Sequence, residues 1–283
     1  MTSLSNTAIT EQLKAIGAGQ DTGYSAAEQG ILIASLNHPG RGIERYKVHL
    51  HNMSDKAGGR FNQLLEAGAQ DSAETRLAAL KHVIWDDEGY HGDMETYDDL
   101  QNSDLIDVIE RRKGLPVALA LLFMHVAQEN DWDVRPLNFP GHVYMRIDFE
   151  GNRLIFDPFD KCKLVEAHDL RAALKKLAGE QAELSASFYE PMSDKDTVLR
   201  LQNNRKSRQI MAEDYQAALD TIRVMAFLAP KEERLAFETA VMYARLGNKG
   251  EAVKTLTEYL ERTTSPQDRQ DAILLLHELE KDS

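Results

Sequence analysis

The stretch "GLPVALALLFMHVAQENDWDVRPLNFPGHVYMRID", residues 114 to 148, decides the fold. It sets a helix beside strands. Pro116 suits the first helical position, where a missing N–H breaks no intrahelical bond. The residues after it are apolar on nearly every side, which predicts a helix buried in the core and not one lying on the surface. His125, farther along that helix, reads as a packing residue. Beyond it "WDVRPLNF" and "HVYMRIDF" have strand character, and "RLIFDPF", residues 153 to 159, supplies a third strand. In the second strand Val143, Met145, Ile147 and Phe149 share one face, while His142, Tyr144, Arg146 and Asp148 share the other.

His142 and Asp157 stand fifteen positions apart, each expected on a strand. A base with a carboxylate to orient it makes two members of a nucleophilic triad, so this pair is the candidate catalytic dyad. The turn at "EGN" decides whether they meet. A Glu150-Gly151 turn sets Asp157 opposite Tyr144, one diagonal step from His142 and about 7–8 Å away between backbones. A Gly151-Asn152 turn leaves the pair on the order of 13 Å apart. The dyad therefore predicts the first register, or a bulge that restores it. A structural reading stands beside the chemical one, because a buried histidine bonded to an aspartate can simply knit two strands to the central helix.

Upstream the chain reads as helical. Apolar positions recur at threes and fours in "YSAAEQGILIASLNHPG" and "IERYKVHLHNMSDKAGGRFNQLLEAG", with Pro39-Gly40 between them. A further helix is expected from a cap at Asp71, with Glu74 three residues on, through "TRLAALKHVIW". The acidic "DDEGYHGDMETYDDLQN", residues 86 to 102, lacks a period and reads as a solvated covering loop whose spacing does not match an EF-hand. Ser103 is the expected cap of "DLIDVIERRK", and Gly114 its expected close.

Bulk properties narrow the function classes. With 33 Lys+Arg against 46 Asp+Glu, the net charge of −13 disfavours attraction to nucleic acid or anionic lipid over the whole surface. The local exception, "RLQNNRKSR" at 200 to 208, has no aromatic residue interleaved and reads as a solvated helix face. A lone cysteine, Cys162, excludes an internal disulfide and a multi-cysteine metal site. No histidine spacing matches a metal motif, so neither metal nor cofactor is expected. The longest apolar run, "VALALLFM" at 117 to 124, is far short of the roughly twenty residues of a membrane span, and the first twenty residues show no signal-peptide pattern. A cytoplasmic protein with no membrane or nucleic-acid partner is the expectation.

Toward the end, "DYQAAL" at 214 to 219 and "NKGEAV" at 248 to 253 align with a period of 34, pairing Ala218 with Ala252 and Leu219 with Val253. A helix–turn–helix repeat of that length resembles the tetratricopeptide repeat. An ordinary helical bundle is the competing reading.

Taken with "LIFDPFD", with "GYHGDMETYDDLQNSDL" and with "LQN" at 201 to 203, the opening stretch resembles the transglutaminase-like fold, in particular the bacterial SirB-one family. Members of that family join a transglutaminase-like domain to C-terminal tetratricopeptide helices. The resemblance runs from about residue 28 to about 280, and "PGH" and "DPF" are its most specific parts. It implies an α+β fold with a helical N-terminal part and a transglutaminase-like (papain-like) core, in which a small antiparallel sheet packs on a buried central helix. All-α helices of tetratricopeptide type would follow, giving regions 1–190 and 191–283.

The superfamily works through a Cys-His-Asp triad. The resemblance puts His142 and Asp157 on two of its places, and the cysteine's place falls at Pro116. Proline has no nucleophile, and no serine, threonine or cysteine lies within several residues of it. Cys162 stands where the family tends to have glycine, past the strand end and away from the helix N-terminus that would activate a thiol. The expectation is a pseudoenzyme, a regulatory or interaction module with a protein or peptide partner. Pro116, Tyr144 and Arg146 would line the pocket beside a vestigial His142-Asp157 dyad. The alternative is a hydrolase or amide-transfer enzyme that uses the dyad without the usual cysteine, with water as the attacking group.

Overall fold

A computed structural model describes residues 5–20 and 22–281. The chain forms two compact units, Tyr24–Leu201 and a second made of Ser5–Gly23 with Gln202 onward. Helix α1 (Asn6–Gly17) is part of the second unit.

The first unit opens with α2 (Ala26–Ala34), held at its start by a capping box. The Ser25 hydroxyl accepts from the Glu28 N–H, and the Glu28 carboxylate accepts from the Ser25 N–H. Helix α3 (Glu44–Glu66) buries Tyr46, Leu50, Met53 and Ala57, the apolar stripe that its period predicts. The cap of α4 (Ala73–Lys81) is Ser72 and not Asp71. The Ser72 hydroxyl accepts from the Thr75 N–H, whereas the Asp71 carboxylate pairs with Arg76. The helix then widens into a π turn over His82–Asp87.

Most of the acidic segment is exposed, as expected of a solvated loop, but it is anchored at three buried residues, Tyr90, Asp93 and Asn102. The short strand β1 (His91–Gly92) runs through it. Asp104 caps α5 (Leu105–Arg111) by accepting from the N–H groups of Ile106 and Asp107, while the Ser103 hydroxyl donates to the Leu100 carbonyl instead. A left-handed Arg112 ends that helix, so Gly114 falls in β2 (Lys113–Gly114), which pairs in parallel with β1.

Helix α6 (Pro116–Gln128) is the centre of the unit. Every residue from Pro116 to Ala127 is buried. Its His125 Nδ1 lies 2.8 Å from the Ser25 hydroxyl, the packing role expected of that histidine. An antiparallel sheet in the order β3 (Asp133–Pro136), β4 (Met145–Phe149), β5 (Asn152–Asp157) and β6 (Lys163–Leu164) covers α6, where the rings of Phe123 and Phe156 stand 5.5 Å apart. Glu150 and Gly151, both at positive φ, form the two-residue turn between β4 and β5 and pair Phe149 with Asn152. That is the primed turn whose twist suits a hairpin. Helix α7 (Ala167–Ala178) packs Leu170 and Leu174 on Leu137, Phe139 and Tyr144. The mixed α+β fold of the sequence reading is present, with a helical C-terminal region.

Helix α8 (Asp194–Met211) begins in the first unit and continues into the second. There α9 (Tyr215–Leu228), α10 (Arg234–Arg245), α11 (Lys249–Arg262) and α12 (Pro266–Lys281) follow, each after the first packed on the one before it. Ala240, Leu256, Tyr259 and Ala272 form a core between the last three. Helix α1 packs on α9 so closely that a side chain at Gly17 would collide with the carbonyl of Phe227. Among the described residues no helix is long and apolar enough to cross a membrane.

Candidate functional site

The residues "FPGH" do not continue β4 toward its start. They form a bend, so His142 sits just off the strand and not on it. Two features force the bend. Pro140 has no N–H for a ladder, and Gly141 takes φ +75°, a left-handed conformation that glycine adopts without penalty. A Cβ at Gly141 would also stand 2.7 Å from a methyl of Leu177 on α7. Asp157, by contrast, is the last residue of β5.

The bend brings the two together. His142 Nε2 lies 2.9 Å from Asp157 Oδ2, with side-chain exposures of 26% and 15%. The other carboxylate oxygen, Oδ1, accepts from the Phe159 N–H at 2.8 Å. An ionised carboxylate only accepts, so the imidazole donates through Nε2–H and its Nδ1 keeps a lone pair when the ring is neutral. Nδ1 has no hydrogen-bond partner among the described residues. This is the arrangement of an oriented base.

Aromatic rings surround it. Tyr144, one step past the last registered pair of the hairpin, lies tilted against the imidazole with ring centroids 4.6 Å apart, and Phe159 meets it edge-on at 6.3 Å. Burial and the nearby carboxylates of Asp157 and Asp169 push the Tyr144 hydroxyl up to about 12, so it stays protonated as a donor. Phe159 in turn lies on Gly92 of β1, where any side chain would collide with its ring, and Tyr97 packs against Phe159 at 5.9 Å. Gly92 pairs with Gly114, two residues before Pro116. The rings thus connect His142 to the start of α6.

That start has nothing reactive. Pro116 is the first residue of α6, and Leu115, Val117 and Ala118 around it are buried and unreactive. Cys162 offers no substitute. It is 5% exposed, and burial drives its thiol well above the ordinary range, with the carboxylates of Asp157 and Asp86 adding to the effect against Lys81. Arg146 points its hydrogen bonds away from the dyad. Its Nε donates to Asp148 at 2.5 Å and its Nη1 to the Tyr189 carbonyl at 3.1 Å.

Two functional-looking groups carry no signal in the sequence. Arg200, within the run that reads as a solvated basic face, is turned inward, and its Nη2 donates to the carbonyls of Phe139 at 2.9 Å and His142 at 2.7 Å. Asp93, within the acidic segment, is buried between Arg111 at 3.0 Å and Lys113 at 3.1 Å. A residue pattern cannot separate a charge held inside from one in water. The one group of metal-type ligands among the described residues is His38, Asp104 and Asp107, whose ligand atoms lie within 4.8 Å of one another. Asp104 already caps α5 and accepts from Asn37 and His38, so hydrogen bonding accounts for the group.

The description "Transglutaminase-like superfamily" matches residues 44–203, more than half of the chain. The chain is similar to a UPF0162 protein of Xylella fastidiosa, 26% identical over 189 residues that make up 66% of this chain and 67% of the relative. A UPF0162 protein of Vibrio cholerae is 25% identical over 174 residues, 61% of this chain and 64% of the relative. F-box only protein 21 of Homo sapiens is 24% identical over 198 residues, 67% of this chain but 30% of that protein. The matches to the bacterial relatives therefore cover about two thirds of their length. No solved structure matches the chain. With the buried α6, the hairpin and the His142–Asp157 pair in place, and with the family match spanning all of them, this chain belongs to the transglutaminase-like superfamily.

Proposed function

We propose that this protein is a non-catalytic member of the superfamily, a cytoplasmic interaction or regulatory module that binds a protein or peptide partner. One observation carries the reading. The first turn of α6, where the resemblance puts the attacking cysteine, is a buried Leu115–Pro116–Val117 with no thiol or hydroxyl. The His142–Asp157 pair and its aromatic rings then serve as the surface that receives a group from the partner, with Nδ1 as acceptor and the Tyr144 hydroxyl as donor. The helices after α8 belong to the SirB-one pattern of tetratricopeptide helices and supply further binding surface. Neither nucleic acid nor membrane is a partner in this reading.

The free Nδ1 favours one second reading, a hydrolase in which His142 activates water. One experiment separates the two. Wild type and His142→Ala are offered amide, ester and thioester probes, and in parallel are cross-linked in cells to recover partners. The binding reading expects no turnover by wild type and a partner whose recovery falls in His142→Ala. Turnover by wild type that disappears in a folded His142→Ala would replace it with the hydrolase.

A further inference from the structure

We propose that Arg200 is the positioning residue of the His142–Asp157 pair, holding the bend of residues 139–142 so that the imidazole presents Nε2–H to Asp157. The inference deepens the binding-site reading above and rests on it for its functional meaning, though not for its test.

The bend needs such a support. β4 begins at Met145, and the cross-strand bond nearest the bend on that side runs from the Leu137 N–H to the Tyr144 carbonyl at 2.8 Å. The next, from the Asn138 N–H, goes to the Glu190 carbonyl at 3.0 Å. The four residues beyond it contain a proline without a donor and a glycine without conformational restraint, the combination least able to hold a fixed shape by itself. A single nitrogen of Arg200 supplies what is missing. Nη2 has two hydrogens, and two carbonyls accept from it, those of Phe139 and His142, which stand at the two ends of the bend. The guanidinium is planar and rigid, so the bridge sets the distance and the angle between the two ends at once. The same side chain also meets the Met192 sulfur at 3.8 Å.

Arg200 is partly buried, and a charge taken even partly out of water is costly unless carbonyl dipoles or counter-charges meet it. Burial lowers the affinity of Arg200 for its proton, though an arginine remains charged. The carbonyls it meets belong to His142 itself and to the residue that begins the bend. A shift of about an ångström at the His142 backbone suffices to take a hydrogen bond such as the 2.9 Å contact to Asp157 out of range. Arg200 therefore acts through the His142 backbone, as a positioning residue.

A stitch that served stability alone would leave the imidazole as it is, so the test reads the imidazole. The Nε2–H proton of a histidine bonded to a carboxylate exchanges slowly enough to give a downfield NMR signal, whereas an unbonded ring proton is lost to exchange with water. Wild type is expected to show this signal for His142, identified by its absence in His142→Gln. Arg200→Ala is expected to lose it, and Arg200→Lys, which keeps a cation with hydrogens for both carbonyls, to regain it in part. Asp93→Asn serves as the control for a protein that is less stable but has its bend intact, and it is expected to keep the signal.

The assignment falls if wild type has no such signal, if a folded Arg200→Ala retains it, or if Asp93→Asn loses it equally. Should Arg200→Ala not fold, the exchange of the Arg200 Nη2 protons in wild type decides: protected protons support the bridge, and exchange at the rate of free arginine removes it. Signal loss in Arg200→Ala with partner recovery unchanged upholds the positioning role and removes the His142–Asp157 pair as the binding site. An unchanged signal with recovery still dependent on His142 does the reverse.

Discussion

Asp93 and Asp157 lie in the same unit, and each holds a basic side chain, yet they do different work. Asp93 is 2% exposed and is surrounded by Arg111, Lys113, the Thr96 hydroxyl at 2.6 Å and the Thr96 N–H at 2.9 Å. Asn102 ties the same loop down, donating to the Thr96 carbonyl at 2.6 Å while its own side-chain oxygen accepts from Arg111 at 3.1 Å. Asp157 has one backbone donor and one imidazole, and water reaches both members of the pair. The first site has more partners than it needs. The second leaves an acceptor unused. A fully partnered carboxylate fastens a fold, and one whose base still has a free lone pair is available to something else.

The sharpest way to break this contrast is to neutralise Asp93. Asp93→Asn leaves Arg111 and Lys113 facing each other with their shared counter-charge gone, and urea unfolding should show a loss of about 3–5 kcal/mol. The effect also has a pH direction. Burial pushes the Asp93 carboxyl up, but the bonds from Thr96, Lys113 and Asn102 outweigh it and hold the group far below the usual carboxylate range. A folded pKa below the unfolded one stabilises above about 3.9, and this contribution fades as the pH falls toward the folded value. Wild type should therefore lose stability steeply below about pH 4, and Asp93→Asn more gently. Equal acid slopes in the two proteins would put the anchor elsewhere.

Gly141→Ala attacks the other side of the comparison. The positive φ opposes a Cβ, and the exposed Leu177 methyl 2.7 Å away would have to move aside, so a loss of about 1–3 kcal/mol is expected, mostly from backbone strain, together with a disturbed His142 environment by NMR. A folded protein with an unchanged His142 signal would show that the bend is set without Gly141. Asp157→Asn should change stability less, by about 1 kcal/mol, because the amide oxygen can still accept one of the two bonds. A loss as large as that of Asp93→Asn would turn the dyad into a second fastener. The smallest expected effect is at Cys162, whose buried thiol should react with a thiol reagent ~10-fold or more slower than free cysteine until the protein unfolds. Fast labelling of the native protein would return it to the list of nucleophiles.

Much of the site could be read in advance, for reasons that are local. An apolar run behind Pro116 has one good solution, burial, and α6 adopts it. The hairpin turn needs two left-handed residues, and the register that follows from Glu150-Gly151 brings Asp157 beside Tyr144 and within reach of His142. The caps of α4 and α5 were each displaced by one residue, because neighbouring Asp and Ser side chains are equally able to cap and only tertiary partners choose between them. The alternation of "HVYMRIDF" continues to His142 and predicts a strand there, while the bend comes from Pro140-Gly141 upstream. Arg200 and Asp93 were not legible at all. Their partners come from distant positions in the chain, and a charged residue carries no local mark of the carbonyl or ion pair that will bury it. The packing of α1 on α9 is hidden for the same reason.

Proline at position 116 removes more than a side chain. A nucleophile at the head of a helix usually has two assets, its own attacking atom and a backbone N–H aimed at the oxygen that becomes negative as the tetrahedral intermediate forms. The first position of α6 lacks both, since its nitrogen is closed into a ring. In the non-catalytic reading proposed above, this one residue accounts for both the missing attack and a missing donor of an oxyanion hole. Pro116→Cys would restore both at once, whereas a cysteine introduced anywhere else in the turn would attack with no amide of its own in that place.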